Sequence, residues 1–158
     1  MKISVIAIFY NSSAYIKKCI QSILDQQDVF IELIAVDDCS TDDTLKLLQE
    51  YAIIDDRIKI IKHQKNRGIA AARNSGIKAA SGDCFYLIDG DDYLPNNALS
   101  SLAKHFSPEV DWIQGGYEIR NEKNLKIADH IYQYGKYTTH QEIENHFFDI
   151  ELVYTHNK

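Results

Sequence analysis

The stretch Gly82–Pro95, which reads GDCFYLIDGDDYLP, joins a short apolar run to a cluster of acidic residues. The run over residues 84–88 is apolar at consecutive positions, which predicts a strand buried on both faces of a helix-covered parallel sheet. It stops at Asp89–Asp92, where three carboxylates repel one another unless they lie in open solvent or around a cation. Asp89 and Asp91 are two residues apart and point the same way in extended backbone. The stretch therefore predicts either a Mg²⁺ or Mn²⁺ site that also holds substrate phosphates, or an acidic turn that caps the next helix.

Composition and charge narrow the class of protein. The chain has 158 residues, 45% of them hydrophobic and 25% charged, which is typical of one soluble globular domain. Its net charge of −6, without a block of like charges, argues against nonspecific nucleic-acid binding and a polybasic membrane anchor. The apolar runs are strand-sized and far shorter than the roughly 20 residues of a membrane span. Cys19, Cys39 and Cys84 form no CxxC pair, which favours a reducing, cytoplasmic setting without a zinc site.

Strand and helix patterns alternate through the first two thirds of the chain. The apolar stripe Ile16, Cys19, Ile20, Ile23 and Leu24 has helical spacing. This order predicts an α/β fold with a mostly parallel sheet flanked by helices. The predicted strands are Ile3–Phe9, Phe30–Val36, Arg57–His63 and Cys84–Ile88. Of the four predicted helices, the first begins near Tyr15, the second near Ser40 and the fourth at Pro95, and the third spans Ile69–Ala80.

Details of these elements give further expectations. The third strand alternates in part, which places it nearer a sheet edge. The alanines of the third helix allow close approach to the sheet. The turn Tyr10–Ser13 and the pair Ser40-Thr41 supply N-cap candidates for the first two helices. Pro95 is expected to begin the fourth helix, which continues to about Phe106.

Polar residues follow each strand, and ligands of open α/β sheets bind beyond the carboxyl ends of the strands. Tyr10-Asn11, Asp37-Asp38 and Asp89–Asp92 are therefore expected along one rim. Asp38 can accept hydrogen bonds from a nucleobase imide or a ribose hydroxyl, or it can cap a helix. Arg67 and Arg73 bring cations that suit a diphosphate; a solvated loop charge and a salt bridge to a strand-end Asp are the respective alternatives. The six histidines show no metal-ligand spacing, and most of them are expected to be surface or ordinary partly buried residues.

The pattern is weaker after residue 107. A strand with a Gly-Gly irregularity is expected over Val110–Arg120, and Lys126–His130 is expected to pair with it. Thr139–Ile150 is expected to form a helix, because Thr139 and Glu142 have capping-box spacing.

Four blocks, in order within residues 3–95, together resemble glycosyltransferase family 2. They read SVIAIFYNSSAYIKKCIQSILDQ, ELIAVDDCSTDDT, NRGIAAARNSGIKAASGD and DGDD followed by Pro95. The resemblance implies the Rossmann-like GT-A fold and an inverting, metal-dependent transfer of a sugar from a nucleotide-sugar, most often a UDP-sugar, to an acceptor hydroxyl. By analogy it implies a role in bacterial surface polysaccharide synthesis.

The resemblance also implies roles for single residues. Tyr10 would lie against the base, and Asp38 would bind the uracil edge. The DxD acids Asp89 and Asp91 would face the ribose and the metal-bound diphosphate, with Asp91, Asp89 and Asp92 as the metal ligands. Arg67, Gly68 and Arg73 would line the donor pocket.

The chain departs from the family on the acceptor side. The family's catalytic base lies well downstream of the DxD block, and the late acids Asp149 and Glu151 are better read as surface helix charges. The QxxRW-type motif of processive synthases is absent. We therefore expect the base beyond residue 158, a donor-binding core over residues 1–106, and an incomplete, truncated acceptor-side portion over residues 107–158.

Two other functions remain open at this point. One is a noncatalytic nucleotide-binding module. The other is a metal-dependent receiver-like signalling domain. It is disfavoured because Asp37-Asp38 follows the second strand instead of the first, and because no strand-end Lys follows Asp89–Asp92. The expected partners are a nucleotide-sugar donor and a saccharide or lipid-linked acceptor, with no nucleic acid. The expected location is cytoplasmic, and peripheral association with the inner face of the membrane stays open.

Overall fold

The computed structural model of the protein describes residues 1–107, 113, 115–121 and 123–130. The chain divides into two compact units, Met1–Ile113 and Gln114–Lys158. The helix predicted over Thr139–Ile150, and the late acids Asp149 and Glu151, lie outside the described residues.

The described elements of the first unit are β1 (Lys2–Phe9), α1 (Ile16–Leu24), β2 (Phe30–Asp37), α2 (Thr44–Ile54), β3 (Ile58–Lys62), α3 (Ile69–Ala79), β4 (Cys84–Asp89) and α4 (Ala98–Ala103). The four strands form a parallel sheet with the spatial order β3-β2-β1-β4. The α/β alternation predicted from the sequence is confirmed, and β3 lies at an edge of the described sheet, as expected. The described helices have between 6 and 11 residues, and none has the length and apolar character that a membrane span requires.

Both faces of the two central strands are buried, because helices cover each side. The predicted stripe of α1 packs on one face, together with Leu48 of α2 and Leu99 of α4. Ala72 of α3 packs on the other face against Ile6 and Val36. The apolar residues of β1, and those of β2 after the exposed Phe30, therefore enter a core, which is why these strands appear in the sequence as continuous hydrophobic runs.

The fourth strand differs from its prediction. Along β4 burial alternates, and Phe85 and Leu87 are 50% and 38% exposed, so the expectation of burial on both faces is wrong. Phe85 and Leu87 pair with Ser4 and Ile6 of β1 and thus project from the face on which α3 lies. Within the described part of the chain, β4 is an edge strand, and α3 packs on β1 and β2 instead.

Helix starts also differ from the cap predictions. Asp43 and Tyr15 occupy the N-cap positions of α2 and α1, and neither makes a side-chain cap hydrogen bond. The fourth helix begins at Ala98, whose N–H donates to the Pro95 carbonyl in a turn that precedes the helix. The cap predictions placed on Tyr10–Ser13 and Ser40-Thr41, and the helix start predicted at Pro95, are therefore wrong.

The polar residues of the first two loops bind each other instead of capping helices. The Ser12 N–H donates to Thr44 Oγ1 over 2.8 Å, and the Thr41 N–H donates to Asn11 Oδ1 over 2.8 Å. The Asn11 N–H donates to Ser40 Oγ over 3.0 Å. These bonds hold the loop after β1 against the loop after β2.

Close approach of α3 to the sheet is confirmed at Gly76. A Cβ atom at this position would lie 2.2 Å from Ile6 Cγ2 and 3.4 Å from Val36 Cγ2. Only glycine fits here without displacement of β1 or α3.

A two-stranded antiparallel sheet is described in the second unit. It consists of β5 (Tyr117–Arg120) and β6 (Lys126–His130), which confirms the predicted pairing. The irregularity lies between Ile119 and Arg120 and not at the Gly-Gly pair, which precedes β5. The Tyr117 and His130 rings stack across the strands with centroids 5.5 Å apart.

Candidate functional site

A cavity of about 310 Å³ opens at the carboxyl ends of β1, β2 and β4. Parallel strands bring their carboxyl ends to one sheet edge, so residues distant in sequence meet there. The cavity is lined by Ile8, Tyr10, Ser12, Asp38, Asn66, Gly68, Ile69, Asp89, Gly90 and Asp91.

Most of the predicted donor-binding residues therefore share one cavity, and two of them contribute differently. The Arg67 and Arg73 side chains are not among the lining groups. The Arg67 backbone N–H bonds Asp38, and the Arg73 guanidinium bonds Asp89. Both arginines thus hold lining carboxylates in place.

Tyr10 stands at the end of β1 with 49% of its surface exposed. The following residue, Asn11, has a positive φ of 49° and is held by the second loop through the hydrogen bonds described above. The cross-linked loop presents the Tyr10 ring at the cavity while leaving much of that ring accessible.

Asp38 is a buried hub that joins three segments of the chain. Its carboxylate accepts N–H hydrogen bonds from Arg67 at 2.9 Å and Gly68 at 2.8 Å, and His63 Nδ1 lies 2.6 Å from Oδ1. Burial favours the neutral carboxyl, but the bonds from His63, Arg67 and Gly68 outweigh it and hold the pKa of Asp38 below its usual value. Gly68 adopts φ +80°, a left-handed conformation that aims its N–H at Asp38 directly before α3 begins.

His63 is the residue whose position the sequence did not reveal. Most histidines were expected at the surface or in ordinary partly buried positions, and none was predicted at the site, yet His63 is only 6% exposed and lies within hydrogen-bond distance of Asp38 beside the cavity. The available signal was its place one residue after β3, at the same strand-end rim as Asp38.

The acidic turn after β4 is shaped by a salt bridge and by a close backbone contact. Arg73 Nη2 lies 2.8 Å from Asp89 Oδ1, which confirms the salt-bridge alternative for Arg73. A Cβ atom on Gly90 would lie 2.4 Å from Phe9 Cδ1 and 2.7 Å from the Ile8 carbonyl oxygen. Glycine is therefore required because β1 lies close, and the Gly90 N–H uses that approach to donate to the Ile8 carbonyl.

Negative charge accumulates around this turn. Desolvation, followed by the charges of Asp91 and Asp89, raises the pKa of Asp92 from 3.8 to about 6. Burial, followed by Asp92, Asp91 and Asp89, raises the pKa of the Cys19 thiol from 9.0 to about 12. The site is thus one where a cation would relieve repulsion.

The donor atoms suit a divalent cation that is shared with a ligand. In the described ranges, no three His, Cys, Asp or Glu side chains are arranged to hold a metal ion by themselves. Mg²⁺ and similar hard cations usually take one or two carboxylates and complete their shell with water and substrate phosphates. The turn at Asp89–Asp92 fits that mode, and it does not fit a cage made of protein ligands alone.

Comparison with known proteins identifies the family. Residues 4–153 match the sequence profile of glycosyl transferase family 2. The chain is 35% identical over 131 residues to the glycosyltransferase GlyA of Streptococcus pneumoniae. This alignment covers 82% of this chain and 19% of GlyA. It is also 37% identical over 101 residues to the chondroitin synthase of Escherichia coli, in an alignment that covers 64% of this chain and 15% of the synthase.

A solved structure shows the same fold. S. aureus TarS 1-349, crystallised in complex with UDP-GlcNAc, superposes with a TM-score of 0.61 at 34% identity. The alignment covers 66% of this chain and 30% of that one. The likeness confirms the GT-A fold predicted from the sequence. The chain spans less than a third of the length of each of these three proteins. With a family match over most of its length, the chain belongs to glycosyl transferase family 2.

Proposed function

We propose that this chain binds the UDP-sugar donor of an inverting glycosyltransferase that acts in surface polysaccharide synthesis. The observation that carries the proposal is the strand-end cavity, where an accessible tyrosine, a buried carboxylate and an acidic turn meet. The similar protein TarS has been crystallised with UDP-GlcNAc, and a similar E. coli protein is a chondroitin synthase, which supports this donor class and role.

In this proposal the nucleoside lies between Tyr10 and Asp38. The exposed Tyr10 ring offers a face on which a base can stack. A carboxylate has about four lone-pair sites, and Asp38 already receives three donors, so a base imide N–H can take the remaining capacity. Gly68 and the start of α3 close this side of the cavity.

The diphosphate then lies toward the acidic turn. Asp91 and Asp92 are the proposed ligands of a Mn²⁺ or Mg²⁺ ion, whose shell the diphosphate oxygens and water would complete. Such an ion neutralises the negative charge that develops on a leaving diphosphate. Asp89, which Arg73 holds through Oδ1, is proposed to accept a hydrogen bond from a ribose hydroxyl through its other oxygen.

Transfer with inversion requires a base that takes the proton of the acceptor hydroxyl. We propose that this base lies on the acceptor side, downstream of the donor-binding core. Residues 1–106 then form the donor-binding core, and residues 107–158 begin the acceptor side.

The proposed setting is the cytoplasm, where the acceptor is a saccharide or a lipid-linked saccharide at the inner face of the membrane. All three cysteines are free, which fits a reducing compartment. The proposed membrane association is peripheral, and no nucleic acid takes part.

Calorimetric titration of UDP with and without Mn²⁺ tests the proposal. UDP is expected to bind with Mn²⁺, and Asp91→Asn is expected to weaken that binding about tenfold or more, the effect of losing one charge-assisted contact. Asp56→Asn, at an exposed position before β3, is the matched control and should bind as the wild type does.

The outcome separates the remaining functions. A wild-type protein that ignores UDP in both conditions contradicts the proposal, and tighter binding of GDP or ADP reassigns the donor class. A noncatalytic nucleotide-binding module would bind UDP equally well, and only an assay of sugar transfer would separate it from a transferase.

A further inference from the structure

His63 is a buried titratable residue to which the proposed reaction gives no part. Its ring bridges two elements: Nδ1 lies 2.6 Å from Asp38 Oδ1, and Nε2 lies 2.9 Å from Ser75 Oγ on α3. Its backbone N–H donates to the Asp37 carbonyl over 2.9 Å, which anchors the residue to the end of β2. The ring is thus held at both nitrogens and at the main chain.

The proton positions follow from the partners. Asp38 has its pKa held below the usual value and is therefore an ionised acceptor. Nδ1 must then carry a hydrogen atom and donate a hydrogen bond to Asp38 Oδ1. The Ser75 hydroxyl has two possible acceptors, His63 Nε2 and the Ala71 carbonyl oxygen at 3.0 Å. It either donates to Nε2, or it donates to Ala71 and accepts a hydrogen bond from Nε2.

The contact matters because of how Asp38 is held. Two of its donors are backbone N–H groups of one loop, from Arg67 and Gly68. The third donor, His63, is the side chain that fixes Oδ1 from the β3 side. Without His63, Oδ1 keeps the Arg67 N–H and Oδ2 keeps the N–H groups of Arg67 and Gly68. These donors all come from one loop, so the carboxylate would follow that loop and lose its hydrogen bond to the β3 side.

We propose that His63 is a positioning residue for the nucleoside of the donor: it orients the Asp38 carboxylate through Nδ1, and that carboxylate receives the base. The inference rests on the proposed function, since it assumes that a nucleobase lies at Asp38. It adds a specificity-determining contact behind the cavity wall, at a residue that does not itself touch the donor.

Two substitutions separate this role from a purely structural one. The Asn side-chain amide N can occupy the place of Nδ1, so His63→Asn keeps the donor to Asp38 and loses Ser75. The Gln amide N can reach the place of Nε2, so His63→Gln keeps Ser75 and loses Asp38. Ser75→Ala removes the Ser75 contact while His63 stays intact.

The experiment measures the affinities of UDP, uridine and Mn²⁺-pyrophosphate for the full chain, beside its urea unfolding. His63→Gln is expected to weaken UDP and uridine alike by about tenfold, the effect of one misplaced charge-assisted hydrogen bond, and to leave Mn²⁺-pyrophosphate binding unchanged. His63→Asn and Ser75→Ala are expected to stay within about threefold of the wild type for every probe.

Three results would overturn the inference. His63→Gln could bind UDP as tightly as the wild type does, or it could lose as much affinity for Mn²⁺-pyrophosphate as for UDP. His63→Asn and His63→Gln could also lose UDP affinity equally, in proportion to their losses of stability in urea. In each of these cases the wild type still binds UDP, and the proposed function stands. A wild type that binds neither UDP nor uridine would overturn both.

Discussion

Arg73 Nη2 donates to Asp89 Oδ1 over 2.8 Å and so ties α3 to the acidic turn after β4. The two side chains are 32% and 33% exposed, which places the pair between solvent and core. Arg73 Nε is buried and has no hydrogen-bond partner among the described residues. One carboxylate of the turn is thereby neutralised by the protein, and the charges of Asp91 and Asp92 stay available for a cation.

A double-mutant cycle on this pair should reveal its coupling. Arg73→Met and Asp89→Asn are each expected to destabilise the metal-free protein, and the double variant should lose less than their sum. For a pair about two thirds buried, the expected coupling free energy is about 1 kcal/mol. Urea unfolding of the four proteins measures it, and additive losses would show that the contact contributes no stability.

Asp92 should make the metal-free protein less stable as the pH rises. Its pKa is 3.8 as an ordinary Asp and about 6 in the folded protein, so the folded state binds more protons between these values. Stability from this group is therefore lost as the pH rises through that window. Asp92→Asn is expected to raise Tm at about pH 7.5 in EDTA and to change little near pH 4.

The stabilisation of the protein by Mn²⁺ should also depend on the protonation of Asp92. Mn²⁺ should raise the wild-type Tm more at about pH 7.5 than at about pH 5, because protonated Asp92 repels no charge and binds no metal. Asp56→Asn should leave both profiles unchanged. A pH-independent effect of Asp92→Asn would contradict the assigned cause.

Glu32 lies toward the end of the sheet opposite the cavity and links three segments of the chain through hydrogen bonds. It is 3% exposed and accepts hydrogen bonds from Ser4 at 2.6 Å, Ser81 at 2.7 Å and Lys59 at 2.8 Å. Glu32→Gln is expected to cost about 2 kcal/mol at neutral pH, because the lysine contact weakens and one oxygen acceptor is lost. Urea unfolding measures the loss, and Glu50→Gln on the exposed face of α2 is the control.

The pH dependence of that loss checks its origin. Burial favours neutral Glu32, but the bonds from Lys59, Ser4, Ser81 and Lys2 outweigh it and hold its pKa well below the ordinary 4.5. The stabilisation is thus fully present above about that value and is lost as the pH falls below it. A difference between Glu32→Gln and the wild type that persists unchanged at low pH would contradict the ionic cause.

Gly76→Ala should destabilise the protein although alanine favours helices. The new methyl would lie 2.2 Å from Ile6 Cγ2, on a fully buried β-branched side chain that cannot turn away. The cost of overpacking, about 1–3 kcal/mol, exceeds the gain of about 1 kcal/mol in helix propensity. Ile6→Leu removes the methyl at Cβ, so the double variant should regain part of the loss; a more stable Gly76→Ala would refute the close contact.

The sequence predicted the strand-end rim because each apolar run stops at a polar loop. It did not predict how those loops bind each other: Asn11 and Thr41 are 30 residues apart, and their hydrogen bond replaces the capping expected of Thr41. A hydroxyl next to a helix start has both options, and only the folded chain decides between them. The same holds for Arg73, where a donor-pocket residue and a salt bridge to Asp89 read alike in the sequence.

By itself the sequence determined the order of strands and helices, the core stripe of α1 and the family, since these depend on local periodicity and on blocks of adjacent residues. Tertiary structure alone decided that Phe85 and Leu87 of β4 are exposed, because exposure depends on which helix covers a strand. It also decided that His63 meets Asp38 across 25 residues of chain. From the sequence, the stretch Gly82–Pro95 was predicted to be a buried strand and an acidic turn. Among the described residues its strand lies at the sheet edge, and Arg73 neutralises part of the charge of its turn.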